Sequence, residues 1–117
     1  MSYVEGFVAA VPESNKQAYL DLATAAADIF KRYGATRVVE AWGAEVPEGK
    51  VTDFHRAVQA EPGEVIVYSW IEYPSKQVRD ESFQKMEADN AMDGFMGDAP
   101  FDGKRLIYGG FDIILDV

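Results

Sequence analysis

The sequence predicts an α+β fold, a four-stranded antiparallel sheet with two helices on one face, and three observations carry the prediction. Residues 65–73 (VIVYSWIEY) form an extended run with no polar face. Val65, Val67, Ser69, Ile71 and Tyr73 share one side; Ile66, Tyr68, Trp70 and Glu72 share the other. A strand with one solvated face alternates apolar and polar residues, so near-continuous apolarity means that both faces are covered. Secondly, two stretches of helical spacing alternate with strands in the order β-α-β-β-α-β. Thirdly, two helices cover only one face of such a sheet, yet the first, third and fourth strands are apolar on both faces. A soluble monomer rarely leaves so large an apolar face open. The economical cover is a second copy packed sheet face to sheet face about a two-fold axis. A homodimer, closed as a dimeric α/β barrel, is therefore expected.

Residues 3–11 form the first strand, with Tyr3, Phe7, Ala9 and Val11 opposed to Val4, Val8 and Ala10, and Pro12 ends it. Gly6 within it suits a close approach by a ring or another backbone. Ser14 is the expected helix cap, with Gln17 three residues on completing a capping box. Ala18, Tyr19, Leu22, Ala23, Ala26, Ile29, Phe30 and Tyr33 follow helical spacing. Lys31 and Arg32 suit the negative end of that helix, and Gly34 suits its left-handed cap.

Residues 37–46 (RVVEAWGAEV) read as the second strand. The connection 47–64 exceeds an ordinary hairpin loop and is expected to cover or gate something. Pro74 stops the third strand, and Ser75 caps a second helix reaching to about residue 90. Met92, Phe95 and Met96 suggest a short apolar segment, broken by Gly94, Gly97 and Pro100. Asp102-Gly103 turns the chain into a last strand over 104–111, where Gly109-Gly110 marks a bulge or a close contact. Residues 113–117 continue apolar and suit an extra or swapped edge. This order is the split βαβ pattern of ferredoxin-like folds, in one domain over residues 1–117.

Composition narrows the function classes. Eleven basic against 20 acidic side chains give a net charge of −9. Such a chain repels phosphate backbones, and the pairs Lys31/Arg32 and Lys104/Arg105 are too small for a nucleic-acid footprint. Cysteine is absent, which excludes disulfides, thiolate zinc sites and cysteine nucleophiles and fits the cytoplasm. No stretch approaches the ~20 apolar residues of a membrane helix. The apolar run at 7–11 is short and lacks a basic flank, so no signal peptide is expected. No nucleic-acid or membrane partner is expected.

Three segments, EAWGAEVPEGKVTDFHRAV (40–58), YSWIEYPSKQVRD (68–80) and PFDGKRLIYGGF (100–111), resemble the bacterial YbaA-like family, domain of unknown function 1428. The opening YVEGFVAAVPESNKQAY is similar to the family's start, so the likeness spans nearly the whole chain. The resemblance implies a ferredoxin-like, dimeric α/β-barrel protein without an established activity. It also implies a superfamily shared with cofactor-free monooxygenases, haem-degrading enzymes and stress-response proteins.

Few residues offer chemistry. His55 is the single histidine, too few for a multi-histidine metal site. Asp53 beside it could orient it as a base, but a structural loop histidine is the favoured reading. Trp42, Tyr68, Trp70, Tyr73 and Tyr108 form an aromatic set on strands. They either line a pocket for a planar apolar ligand or pack core and interface, with packing favoured. Glu40 and Glu72 are either paired carboxylates or edge residues bridged to Arg37, Lys104 or Arg105. Lys104 and Arg105 either hold an anionic substrate or cap the sheet end. Asp80 pairs with Lys76 at helical spacing. No phosphate loop, metal-ligand spacing or cofactor motif is present, so no cofactor is expected. The leading expectation is a cytoplasmic homodimer binding a small organic ligand between sheet and helices, with Trp42, Tyr68, Trp70, Glu72 and Tyr108 as lining candidates. The alternatives are a cofactor-independent monooxygenase-like enzyme on an aromatic or quinol substrate, with His55 or Glu40 as base, and an interaction module without a ligand.

Overall fold

The computed structural model describes residues 2–95 and 98–117. Its elements are β1 (Tyr3–Pro12), α1 (Lys16–Arg32), β2 (Arg37–Trp42), the short α2 (Phe54–Ala57), β3 (Glu64–Tyr73), α3 (Lys76–Ala88) and β4 (Ile107–Asp112). The four strands form one sheet in the order β2-β3-β1-β4, and every neighbouring pair is antiparallel. The expected α+β class and its four-stranded antiparallel sheet are therefore observed. The long central pair runs from Tyr3 opposite Tyr73 to Pro12 opposite Glu64.

This register sorts the side chains. Tyr3, Glu5, Phe7, Ala9 and Val11 stand on the same face as Val67, Ser69, Ile71 and Tyr73, and α1 and α3 lie over that face. Tyr3, Ile71 and Tyr73 pack with Phe30 of α1 and with Val78 and Phe83 of α3. Ala9, Val11 and Val67 pack with Tyr19, Trp42, Phe101 and Leu106.

The opposite face carries Val4, Gly6, Val8, Tyr68, Trp70 and Phe111, on the side of the sheet away from α1 and α3. The long connection covers one end of it: Val58 buries against Ala10 and Ile66, flanked by Val46 and Ala60. Asp53 caps α2 by accepting from the Arg56 amide at 2.7 Å. The rest of the face stays open, with Tyr68 51 % and Phe111 59 % exposed.

Several boundaries differ from the sequence expectation. β2 ends at Trp42, not at residue 46, although the Gly43 amide still reaches the Ile66 carbonyl at 2.8 Å. A β-carbon at Gly43 would collide with that carbonyl, so glycine permits the close crossing from which Val46 folds onto the open face. The Ser14 capping box does not form. Residues Glu13–Asn15 make a 3-10 turn instead, Gln17 bonds Asp21, and the Asn15 side chain donates to the Pro100 carbonyl at 2.8 Å. Ser75 does cap α3, accepting from the Val78 amide at 3.2 Å. β4 starts at Ile107 because Asp102 caps a 3-10 turn over Gly103–Arg105.

The Gly109-Gly110 pair forms no bulge. Its register against β1 is continuous, and the pair marks ring contacts: a β-carbon at Gly110 would strike the Tyr3 ring, while the Phe111 ring lies over Gly109 and Gly6. Residues 113–117 add no strand to the sheet, and Leu115 is 75 % exposed. Met96 and Gly97, part of the expected apolar segment and its break, lie outside the described residues.

Candidate functional site

Between α1 and the sheet lies a cavity of about 150 Å³. Phe7, Leu22, Phe30, Val38, Phe101 and Leu106 form most of its apolar wall. It exists because α1 turns Ala23 and Ala27 toward it, two side chains one helical turn apart and too short to reach the sheet. Elsewhere the same layer is filled by rings.

One end of the cavity is polar, where Glu40, Tyr19 and Ser69 meet. Glu40 of β2 stands opposite Ser69 of β3, and the Tyr19 hydroxyl donates to Glu40 Oε1 at 2.6 Å. Glu40 straddles the rim. Much of its residue surface meets solvent on the edge strand, while its carboxylate meets the Tyr19 hydroxyl at the cavity's border. Loss of hydration there raises the carboxyl pKa above its ordinary 4.5, and the Tyr19 hydrogen bond offsets part of the rise. Burial, and next the charge of Glu40, push the Tyr19 phenol up as well. Tyr19 therefore stays a donor at neutral pH, and Glu40 is the acceptor and the titrating partner.

The other candidate residues scatter. Trp42 shares the helix face but packs on Ala9, Val11 and Val67, with the Lys16 ammonium 5.3 Å from its ring centre. Tyr68 and Trp70 stand on the open face in edge contact with each other, and Tyr68 also with Phe54; of the two, Trp70 also borders the cavity under α1. Trp70 donates its indole N–H to Glu72 Oε2 at 2.8 Å, and Arg37 bridges the same oxygen at 3.3 Å. Glu40 and Glu72 thus lie on opposite faces of the sheet and are not paired. Tyr108 stacks on Phe7 at the sheet edge and is 70 % exposed.

Asp53 and His55 share a helical turn without meeting. Asp53 accepts from the amides of Arg56 and Gly49, which hold its carboxyl below the usual range. His55 Nε2 bonds the Val46 carbonyl at 2.9 Å and so fastens the long connection. Arg105 clamps Glu64 with two bonds of 2.7 Å and reaches Asp102 at 3.1 Å, so it closes the sheet end. Lys76 and Asp80 pair at 2.9 Å.

Tyr19 is the site residue that sequence reading misses, because helical spacing marks it only as one more core position. A hydroxyl on an inward helix face opposite a strand glutamate is the pattern that identifies it afterwards. Among the described residues no three His, Cys, Asp or Glu side chains converge as a metal site requires, and no helix is long and apolar enough to cross a membrane.

Fold and cavity together define a small α+β protein with an apolar chamber and one carboxylate–phenol pair beneath its first helix. Residues 2–103 match the family described as "Protein of unknown function (DUF1428)". The chain is 58 % identical over 116 residues to the uncharacterized protein YbaA of Escherichia coli (strain K12), covering 99 % of each. The uncharacterized protein YbaA of Shigella flexneri matches to the same extent. The chain belongs to this family, the YbaA-like proteins of unknown function. Among solved structures, that of Rv0793 from Mycobacterium tuberculosis superposes with a TM-score of 0.52 at 10 % identity, covering 99 % of this chain and 98 % of the other. That likeness concerns the fold alone.

Proposed function

We propose that the protein is a cytoplasmic homodimer that binds a small organic molecule between sheet and helices, in the cavity under α1. The observation that carries the ligand is the cavity itself. A space of about 150 Å³ suits a benzene-sized body, and its wall is apolar except where Tyr19 and Glu40 offer a fixed polar end. An interaction module without a ligand leaves that arrangement without a purpose. Support for the dimer comes from the open face, where Tyr68, Ile107 and Phe111 remain exposed side by side with Trp70.

Amide chemical-shift mapping with a library of ring-sized compounds tests the ligand. Shifts should gather at Leu22, Phe30 and Phe101, and a library that moves none of them counts against the reading. Light scattering after size exclusion tests the dimer; a clean 13.0 kDa species at micromolar concentration rules it out.

The Tyr19–Glu40 pair also favours a second reading, a cofactor-independent monooxygenase-like enzyme in which Glu40 takes the proton of a phenol or quinol. Oxygen uptake with such substrates should then vanish in Glu40→Gln and persist in His55→Ala. Inertness of the wild type across the panel ends this reading and leaves the binding protein.

A further inference from the structure

The four glutamates on the strands are not alike. Glu5 on β1 faces Arg79 at 3.6 Å, Glu64 on β3 is clamped by Arg105 at 2.7 Å, and Glu72 on β3 is bridged by Arg37 at 3.3 Å. Glu40 on β2 departs from that pattern. Loss of hydration and the Tyr19 hydroxyl are the influences on its titration, and no cation among the described residues contributes. It is also the strand glutamate that borders the cavity under α1. Each of the other three strand glutamates has an arginine partner; Glu40, which also meets solvent on the edge strand, has the cavity beside it.

We propose that the cavity's ligand supplies the missing charge: an organic ammonium ion on an apolar body of about one ring, its nitrogen seated on Glu40. The proposal rests on the reading of the cavity as a ligand site and adds the ligand's chemical class. Three points favour an ammonium over a neutral alcohol or an acid. A carboxylate has about four acceptor positions and Tyr19 fills one of them, so the site has acceptors to spare. An ammonium brings three donors and no lone pair of its own to satisfy, whereas a hydroxyl brings one donor and two lone pairs into an apolar wall. Finally, the net charge of −9 raises the local concentration of cations and lowers that of anions.

Calorimetric titration of the full chain near neutral pH with phenethylamine, phenethyl alcohol and phenylacetate tests the class, because the three share a ring and differ in head-group charge. Amide shifts locate each compound. The amine should bind about tenfold tighter than the alcohol, and phenylacetate should bind weakest. Glu40→Gln should bring amine and alcohol within about twofold, chiefly by weakening the amine. Ala27→Leu, which fills the chamber from α1, should abolish both. Equal affinities for amine and alcohol, with shifts at Leu22 and Phe30, overturn the charge assignment and leave the cavity as a ligand site. Binding of none of the three, or binding that Ala27→Leu leaves unchanged, overturns the cavity reading and the charge assignment together. Near-ultraviolet circular dichroism confirms that each variant is folded before its affinity is read.

Discussion

The helix-covered face of the sheet contains two carboxylates in opposite circumstances. Under α3, Glu5 is 3 % exposed, and its surroundings are full. Arg79 lies over the rings of Tyr3 and Phe83 at about 5 Å, donates to the Tyr3 hydroxyl at 3.0 Å, and faces Glu5 and Asp80. Under α1, Glu40 meets solvent and the Tyr19 hydroxyl and borders the cavity, with no arginine or lysine among the described residues contributing to its titration. One layer of one small protein thus holds a carboxylate whose charge is answered from within and another whose charge is not. The difference teaches where the chain has committed its packing and where it has kept room.

The α3 side is not a comfortable core either. The Glu5 Oε2 and the hydroxyls of Tyr73 and Ser82 are buried without a good hydrogen bond. Burial raises the Glu5 pKa, and Arg79 only partly offsets that rise. Such a cluster holds because the arginine is locked in place by two rings. Removing it should give the largest effect. Arg79→Met keeps the aliphatic stem but strands Glu5 and should cost about 3 kcal/mol in urea unfolding. The double variant Glu5→Gln with Arg79→Met should recover most of that loss. A cost under about 1 kcal/mol for the single variant would mean that the pair is incidental and the contrast with Glu40 is empty.

Gly110→Ala probes the same cluster from β4. The new methyl group meets the Tyr3 ring, and Tyr3 in turn carries Arg79. Displacing that ring should cost about 2 kcal/mol, because Tyr3 is buried and its hydroxyl is held by Arg79, which leaves the ring little room to move. Gly109→Ala on the opposite face meets only the Phe111 ring at ordinary contact distance and should cost less. Equal costs would show that Tyr3 is free to move and that the α3 cluster is looser than its contacts imply.

How much of this was legible in the sequence follows from the kind of signal each feature leaves. The strands and both long helices announce themselves through period and terminators, as in VIVYSWIEY followed by Pro74 and Ser75. The sheet's two-sided apolarity is likewise written in the order of residues. Partnerships are not. Arg79 and Glu5 are 74 positions apart, and no local pattern ties them. Glu40 and Glu72 sit on adjacent strands and look like a pair until register shows that their side chains point to opposite faces. The cavity is hardest of all to foresee, because alanines at 23 and 27 read as good helix formers and a void has no residue to mark it.

The comparison sharpens further when the void is filled. Ala27→Leu adds apolar volume to the α1 layer without touching the α3 cluster. Stability should be unchanged or up to about 1 kcal/mol higher, since the wall gains contacts it now lacks. A loss of about 2 kcal/mol would mean that the layer is already full and that the chamber belongs to no ligand.

The smallest effect lies in the pH dependence of Glu40, and its sign is its value. A carboxyl whose pKa is raised in the native state holds its proton there while the unfolded chain has already ionised. From about 4.5 upward the native state binds more protons than the unfolded one, so this group's contribution to stability declines until pH passes the raised native pKa. Glu64 behaves oppositely: hydrogen bonds from Arg105 lower its pKa, so its contribution is present above 4.5 and fades as pH falls through the lowered native value. Replacing each by glutamine should therefore tilt the stability–pH curve in opposite senses. Relative to wild type, Glu40→Gln should gain stability as pH rises from 4.5 toward 7, and Glu64→Gln should lose it on leaving acid conditions. Urea midpoints taken at intervals of pH resolve the two slopes. If Glu40→Gln tracks the wild type across that range, the carboxylate at the rim is as well hydrated as any surface acid, and the chamber offers a ligand no unanswered charge.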